Sequence, residues 1–203
     1  MISPRARVEI QKSDRKMSST LFAKVAFYPS LFYQVVMNKM TTRRWYDRVD
    51  DSVLLGALPF RSMTKQLVEE EHVRGVVDLT EGFETAQFSN SPKDWQDWGV
   101  EHLHIPTVDF VSSPLQGDIE KAVDFILQHR KEKSSVYVHC KAGRTRSATV
   151  VACYLIKLNG WSPEQSVEFL QTKRPHIWLR EKQMQSIQQY FDTTNKGGHF
   201  KGG

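Results

Sequence analysis

The chain of 203 residues has only two cysteines, Cys140 and Cys153. No disulfide framework can be built from them, which favours a reducing or neutral compartment and leaves any special cysteine a chemical role. Nor is there a run of roughly 20 uninterrupted apolar residues of the kind a membrane-spanning helix needs. The nearest approach, Leu21–Met37, is broken by Lys24 and Pro29, and no A-x-A-like cleavage site follows it, so a secretory signal is not expected. No internal repeat is present. Acidic residues are nearly missing from positions 1–44, two against nine Lys and Arg, whereas the rest of the chain holds 21 acids and 19 bases. The basicity therefore belongs to the N-terminal arm, and the nearly neutral body lacks the basic face that nucleic-acid binding requires. His102 and His104 alternate along one segment, but no third residue completes a metal-ligand spacing. Neither a metal nor a cofactor is expected.

What remains is an ordinary globular composition, 39% hydrophobic and 25% charged, in a chain long enough to bury a proper core. The organisation read from it is an arm over 1–44, a folded domain over 45–194 and a Gly-rich tail over 195–203. In the arm, Arg5, Arg7, Lys12, Arg15 and Lys16 precede the aromatic-rich stretch, and Lys39, Arg43 and Arg44 follow it. Two functional readings suit that pattern: a mitochondrial targeting segment, and an interfacial anchor on anionic lipid. The plain alternative is a helix packed on the domain's own surface.

From Trp45 onward strands and helices alternate. Ser52–Leu58, Arg74–Thr80, Val100–Pro106 and Ser135–His139 read as strands. Helices are expected over Arg61–Glu70, over Pro92–Trp98 with Gly99 as its stop, and over Leu115–Arg130 with Leu115, Ile119, Ala122, Val123, Ile126 and Leu127 on its apolar face. Thr145–Leu158 is apolar nearly all round, which marks a buried helix. Ser162 followed by Pro163 and Gln165 opens another, and a last helix covers about Leu179–Phe191. This alternation predicts an α/β sandwich around a mostly parallel sheet.

The chemistry is written in Val136–Ser147. A strand delivers His139 and Cys140, the small residues Ala142 and Gly143 let the backbone curl, and a buried helix begins where Arg146 stands. Backbone amides of Lys141, Ala142, Gly143, Arg144 and Thr145 in such a curl make an anion nest, and the helix start adds positive potential. Arg146 can fork onto two phosphate oxygens. The same field favours a thiolate: a free thiol titrates near 8.5, but beside cations at a helix N-terminus it falls to about 3.5–7.5. Cys140 is thus predicted to attack phosphorus without a metal. Asp109, just beyond a strand end, is the candidate acid for the leaving alkoxide and base for the hydrolytic water. Ser147 is placed to donate to the departing sulfur, His139 to orient the loop, and Lys141 and Arg144 to attract anionic headgroups or to stand as solvated charges. Cys153 reads as a buried structural thiol, and Gln183 as a helix residue with a lesser claim on the hydrolytic water.

HCKAGRTRS resembles the signature loop of the protein tyrosine phosphatase superfamily, dual-specificity branch, with Asp109 in the general-acid position. FYPSLFY, RRWYDRVDDSVLLGALPFRSMTKQLV, VRGVVDL, EGFET and WSPEQSVEFL extend the likeness from about Ala23 to Gln189. Over that range the chain is similar to the mitochondrial members that dephosphorylate phosphatidylglycerophosphate. The resemblance implies a dual-specificity phosphatase-like three-layer sandwich. It also implies an anionic phospholipid substrate and a peripheral place at the matrix face of the inner mitochondrial membrane. A monomer is expected. A four-residue Glu-Glu-Tyr-Glu loop of that family reads Glu81-Gly82-Phe83-Glu84 here. Protein or phosphoinositide substrates, and a pseudophosphatase that only binds, are the competing functions; intact Cys140, Arg146 and Asp109 count against the last.

Overall fold

Five short segments are extended: β1 (Tyr46–Arg48), β2 (Val53–Gly56), β3 (Val73–Asp78), β4 (Glu101–His104) and β5 (Ser135–His139). A computed structural model, which describes residues 44–85, 87–108 and 113–198, joins them into one sheet of order β1-β2-β5-β3-β4. All neighbours pair in parallel except β1, which runs antiparallel to β2. Seven α-helices are found among the described residues: α1 (Thr64–Glu69), α2 (Gly82–Thr85), α3 (Pro92–Asp97), α4 (Gln116–Lys131), α5 (Arg146–Asn159), α6 (Pro163–Lys173) and α7 (Glu181–Gly198).

Strand side chains alternate between two cores, as the pleat demands. Val53, Leu55, Val77, Val136 and Val138 face the larger core, which is closed by Ile119, Val123 and Ile126 of α4, by most of α5, and by Leu170 and Ile187. Leu54, Val76 and Tyr137 face the smaller one, with Leu67, Trp95 and Val100. These are the three layers expected, with α1 and α3 on one face of the sheet and α4–α7 on the other. Parallel strands covered on both sides have no wet face, so β5 is buried at every residue. Eleven residues of α5, from Arg146 to Ile156, are buried, as its all-round apolar sequence predicts.

Local signals set the helix ends. Ser91 and Ser162 each form a capping box with Pro in the first turn, and Gly99 takes φ +67° where α3 stops. Four features differ from expectation. The three-residue β1 carries no period of its own and exists through pairing with Leu54–Gly56. The one-turn α2 was not foreseen. Leu115, assigned to the apolar face of α4, precedes that helix at its N-cap and is 75% exposed. The last helix reaches Gly198, beyond Phe191, so its final turn falls in the segment read as tail.

Residues 1–43 of the arm lie outside the described residues, as does Asp109. The carboxyl ends of β2, β5 and β3 meet at one edge of the sheet, and the loop from His139 to Arg146 rises there.

Candidate active site

β5 ends at His139 and α5 begins at Arg146, so the chain between them must turn within Cys140–Thr145. Its carbonyls are held from outside. His139 O accepts from the Leu79 amide (3.0 Å), Lys141 O from the Leu58 amide (3.2 Å), and Arg144 O from the Trp178 amide (2.8 Å). The Arg174 guanidinium donates to Gly143 O (2.8 Å) through Nε and to Ala142 O (3.3 Å) through Nη2. N–H and C=O of a trans peptide point opposite ways. Turning these carbonyls outward therefore turns the amides of Ala142, Gly143, Arg144 and Thr145 toward the inside of the loop, the anion nest that the sequence predicts. Gly143 makes the curl possible: its φ is +63°, and a Cβ there would collide with the backbone of Gly56 and Ala57 at the end of β2.

Cys140 stands at the floor of the loop, 3% exposed, with Sγ 3.2 Å from Ser147 Oγ. Arg146 is 1% exposed, yet its guanidinium is fully oriented. Nη1 donates to Glu84 Oε2 (2.8 Å), Thr107 O (2.8 Å) and Leu79 O (3.1 Å), and Nη2 to Glu84 Oε1 (3.2 Å). Both partners of this ion pair are buried. The two-point Glu84–Arg146 contact fixes the plane of the fork before any ligand arrives, which removes reorganisation from the binding step. Glu84 Oε2 also accepts from the Glu81 amide (2.8 Å), closing the single turn of α2. The Gly82-Phe83 departure thus leaves the arginine-holding carboxylate in place.

Behind the loop, His139 (1% exposed) has Nε2 3.7 Å from Asp78 Oδ1, and His102 Nε2 lies 3.5 Å from Asp78 Oδ2. Thr80 donates to the same carboxylate through its amide and hydroxyl. Burial pushes the His139 imidazole down to about 4, against the upward pull of Asp78. Burial opposes ionisation of Asp78 too, but the field of His139 and hydrogen bonds from His102 and Thr80 overcome it and hold the carboxyl well below its usual range. Both groups bind protons more weakly folded than unfolded, so both lose stability as pH falls. The contribution of these two groups to the unfolding free energy is expected to be flat above about pH 7. As pH drops through about 6.5 toward 4 it should fall by about 3 kcal/mol on account of His139, at about 1.4 kcal/mol per unit. Asp78 adds a further loss below about pH 4. Denaturant midpoints measured across this range check it; a profile level down to about pH 4.5 would contradict the burial of neutral His139.

The predicted residues His139, Cys140, Ala142, Gly143, Thr145, Arg146 and Ser147 are therefore brought together. Lys141 is buried at 5% exposure and is no solvated surface charge. Arg144 turns along the rim, its Nε on His176 O (2.8 Å). Asp109 lies outside the described residues; Thr107, two positions earlier, is tied by its carbonyl to Arg146. Gln183 is buried, its Oε1 accepting from the Arg180 amide (3.2 Å) at the start of α7. Burial pushes the Cys153 thiol far up and keeps it inert, in line with a structural role. His102 and His104 do share a face, their rings stacked 6.1 Å apart, but they serve Asp78 and the Thr80 carbonyl. The roles of Asp78 and Arg174, and the pairing of Glu84 with Arg146, were not read from the sequence. Their partners lie far along the chain, and only the small residues of the loop hinted that something outside it must hold its carbonyls.

A family model described as dual specificity phosphatase, catalytic domain, matches residues 58–193. A rat protein named phosphatidylglycerophosphatase and protein-tyrosine phosphatase 1 is 44% identical over 171 residues, 83% of this chain and 89% of the relative. An Arabidopsis thaliana protein named phosphatidylglycerophosphate phosphatase PTPMT1 is 39% identical over 170 residues, 83% of this chain and 49% of the relative. A crystal structure of PTPMT1 in complex with PI(5)P superposes with a TM-score of 0.75 at 42% identity, covering 76% of this chain and 99% of that one.

Proposed function

The chain belongs to the dual-specificity phosphatase family, and we propose that it uses Cys140 to hydrolyse phosphatidylglycerophosphate to phosphatidylglycerol and phosphate. The observation that carries the chemistry is the loop whose carbonyls from Lys141 to Arg144 are held from outside, leaving inward amides around Cys140 and an Arg146 already locked by Glu84. What supports the substrate is the 44% identity to a relative whose name gives that activity beside protein-tyrosine phosphatase, and the 39% identity to one named for the lipid activity alone.

The phosphomonoester seats its three non-bridging oxygens on the loop amides and the Arg146 fork. Cys140, as thiolate, attacks phosphorus in line with the ester oxygen; the S–P bond forms as the P–O bond breaks. Asp109 gives its proton to the departing alkoxide, and phosphatidylglycerol leaves. The Asp109 carboxylate then takes a proton from water, the resulting nucleophile attacks phosphorus, and the S–P bond breaks. Ser147 Oγ donates to the sulfur as negative charge returns to it, from the 3.2 Å contact already present. His139, held by Asp78, positions the loop from behind.

The substrate carries a location with it: the matrix face of the inner mitochondrial membrane, where phosphatidylglycerol is made as the precursor of cardiolipin. The basic, aromatic arm suits both delivery there and contact with anionic lipid. No helix of the described residues is long and apolar enough to cross a membrane.

The deciding experiment is phosphate release from phosphatidylglycerophosphate and from a phosphotyrosine peptide, side by side. The lipid is expected to be preferred by about a hundredfold or more in kcat/KM, the scale that a site built for one headgroup can reach. Equal turnover, or a preference for the peptide, would overturn the lipid reading and leave the Cys140 chemistry standing. Phosphatidylinositol phosphates, one of which the PTPMT1 crystal structure holds, belong in the same assay.

A further inference from the structure

Among the described residues the exposed large apolar side chains are Trp98 (43%), Leu115 (75%) and Trp178 (50%). Their positions differ in kind. Trp98 ends α3 ahead of β4, at the edge where the strands begin. Leu115 leads into α4 after β4, and Trp178 lies between α6 and α7. Both of these are on the edge where the strands end and the Cys140 loop rises.

Trp178 is bound directly to that loop. Its amide donates to Arg144 O (2.8 Å), its carbonyl accepts from Thr145 Oγ1 (3.1 Å), and Arg144 Nε reaches back to His176 O (2.8 Å). Ile177 beside it is buried and pins the segment. The half-exposed indole meets two guanidinium groups, Arg180 with Cζ 3.8 Å from the ring centroid and Arg144 with Cζ 5.9 Å away. Lys182 is exposed nearby and Glu181 is the acid adjoining it, so the balance of the rim is positive.

We infer that this rim, Trp178 with Arg180 and Arg144, is the face that seats the enzyme on an anionic bilayer. The inference rests on the lipid reading above and adds an orientation to it. An indole is suited to the boundary between headgroup and acyl chain, and the guanidiniums beside it suit the lipid phosphates. Stacking on Trp178 holds the Arg180 charge at the depth of the ring. Seated this way, the mouth of the loop faces the headgroups, so a lipid's phosphomonoester reaches Cys140 while its chains stay in the membrane. Charge complementarity favours this occupant over a neutral surface or an apolar peptide.

The test uses the full chain, with Trp178→Phe and the double variant Trp178→Ala/Arg180→Ala. The backbone bonds of Trp178 survive both changes, so turnover of a soluble aryl phosphate is expected to stay within about twofold. Vesicles of phosphatidylcholine, with and without a third phosphatidylglycerol, carry bromine on their acyl chains to quench any indole that enters them. The basic arm offers the same vesicles a second attachment, so the readout is the Trp178 indole itself. Parent protein is expected to be quenched by the anionic vesicles, and Trp178→Phe to lose a large part of that quenching. The double variant is expected to need about tenfold more lipid for half-maximal hydrolysis of phosphatidylglycerophosphate in vesicles. Unchanged quenching in Trp178→Phe, or unchanged lipid dependence in the double variant, overturns the seating. If the double variant loses activity only on a phosphotyrosine protein, the rim is a protein-docking surface and the inference falls. Parent protein that is quenched through Trp178 yet releases no phosphate from the lipid would sink the substrate reading and keep the seating.

Discussion

Replacing Cys140 with serine is expected to lower kcat on every phosphomonoester by about 10⁴-fold or more while leaving the fold intact. Only an ionised atom at this position completes the in-line attack. The inward amides and Arg146 that stabilise a thiolate leave a hydroxyl almost wholly protonated. Among the described residues Ser147 Oγ lies 3.2 Å from position 140, and a hydroxyl cannot ionise its serine neighbour in place of the missing charge. The serine Oγ has Ser147 as a hydrogen-bond partner, so stability should move by no more than about 1 kcal/mol. The anion site is untouched, and the variant should still bind inorganic phosphate. Rapid-quench mass spectrometry gives the positive half of the test: the parent, acid-quenched during turnover, should carry one phosphoryl group on the peptide containing Cys140, and Cys140→Ser none. Turnover in the variant within tenfold of the parent would require a different nucleophile.

The second large effect is expected at a residue with no obvious chemistry. Arg174→Met should cost about 3 kcal/mol of stability, the low end of the penalty for removing one partner of a buried ion pair, because Asp47 keeps Arg44 (Nε to Oδ1 2.6 Å). Arg174 is fully buried at the end of α6 and paired with Asp47 of β1, Nη1 to Oδ2 2.7 Å. The same guanidinium holds the carbonyls of Ala142 and Gly143 out of the phosphate loop. Two consequences follow that separate stability from function. A double variant, Arg174→Met with Asp47→Leu, removes the buried carboxylate left with the exposed Arg44 as its ion-pair partner and should recover part of the lost stability. It should not recover activity, since the loop carbonyls still lack their donor and are free to swing toward the phosphate. Urea denaturation read beside kcat/KM on an aryl phosphate distinguishes the two. If the double variant regains both, Arg174 serves only the fold. If the single variant is as stable and active as the parent, the loop holds its own shape.

Residue order alone carried most of the architecture. β5 was read at its observed bounds, and β3, α4 and α5 within two residues, because each is a stretch whose apolar period is complete in itself. The capping box at Ser162 and the stop at Gly99 were legible for the same reason: a cap is satisfied within three or four residues of chain. The proposed site is contiguous too, with cysteine, curling residues, arginine and helix start running from His139 to Ser147. What a segment cannot state is who stands beside it. β1 has three residues and no signal apart from its partner. Leu115 looked like core by spacing, but the helix begins one residue later and leaves it in solvent. Glu84 meets Arg146 across 62 residues, and Arg174 meets Gly143 across 31. Those meetings exist because β5 inserts between β2 and β3, bringing chain segments remote in sequence to one edge of the sheet. The local code therefore determined that a curled loop carrying Cys140 and Arg146 forms between a strand and a buried helix. Only the tertiary structure decided what locks its arginine, turns its carbonyls away and frames its mouth with Trp178, because buried charges must find partners wherever the packing sets them.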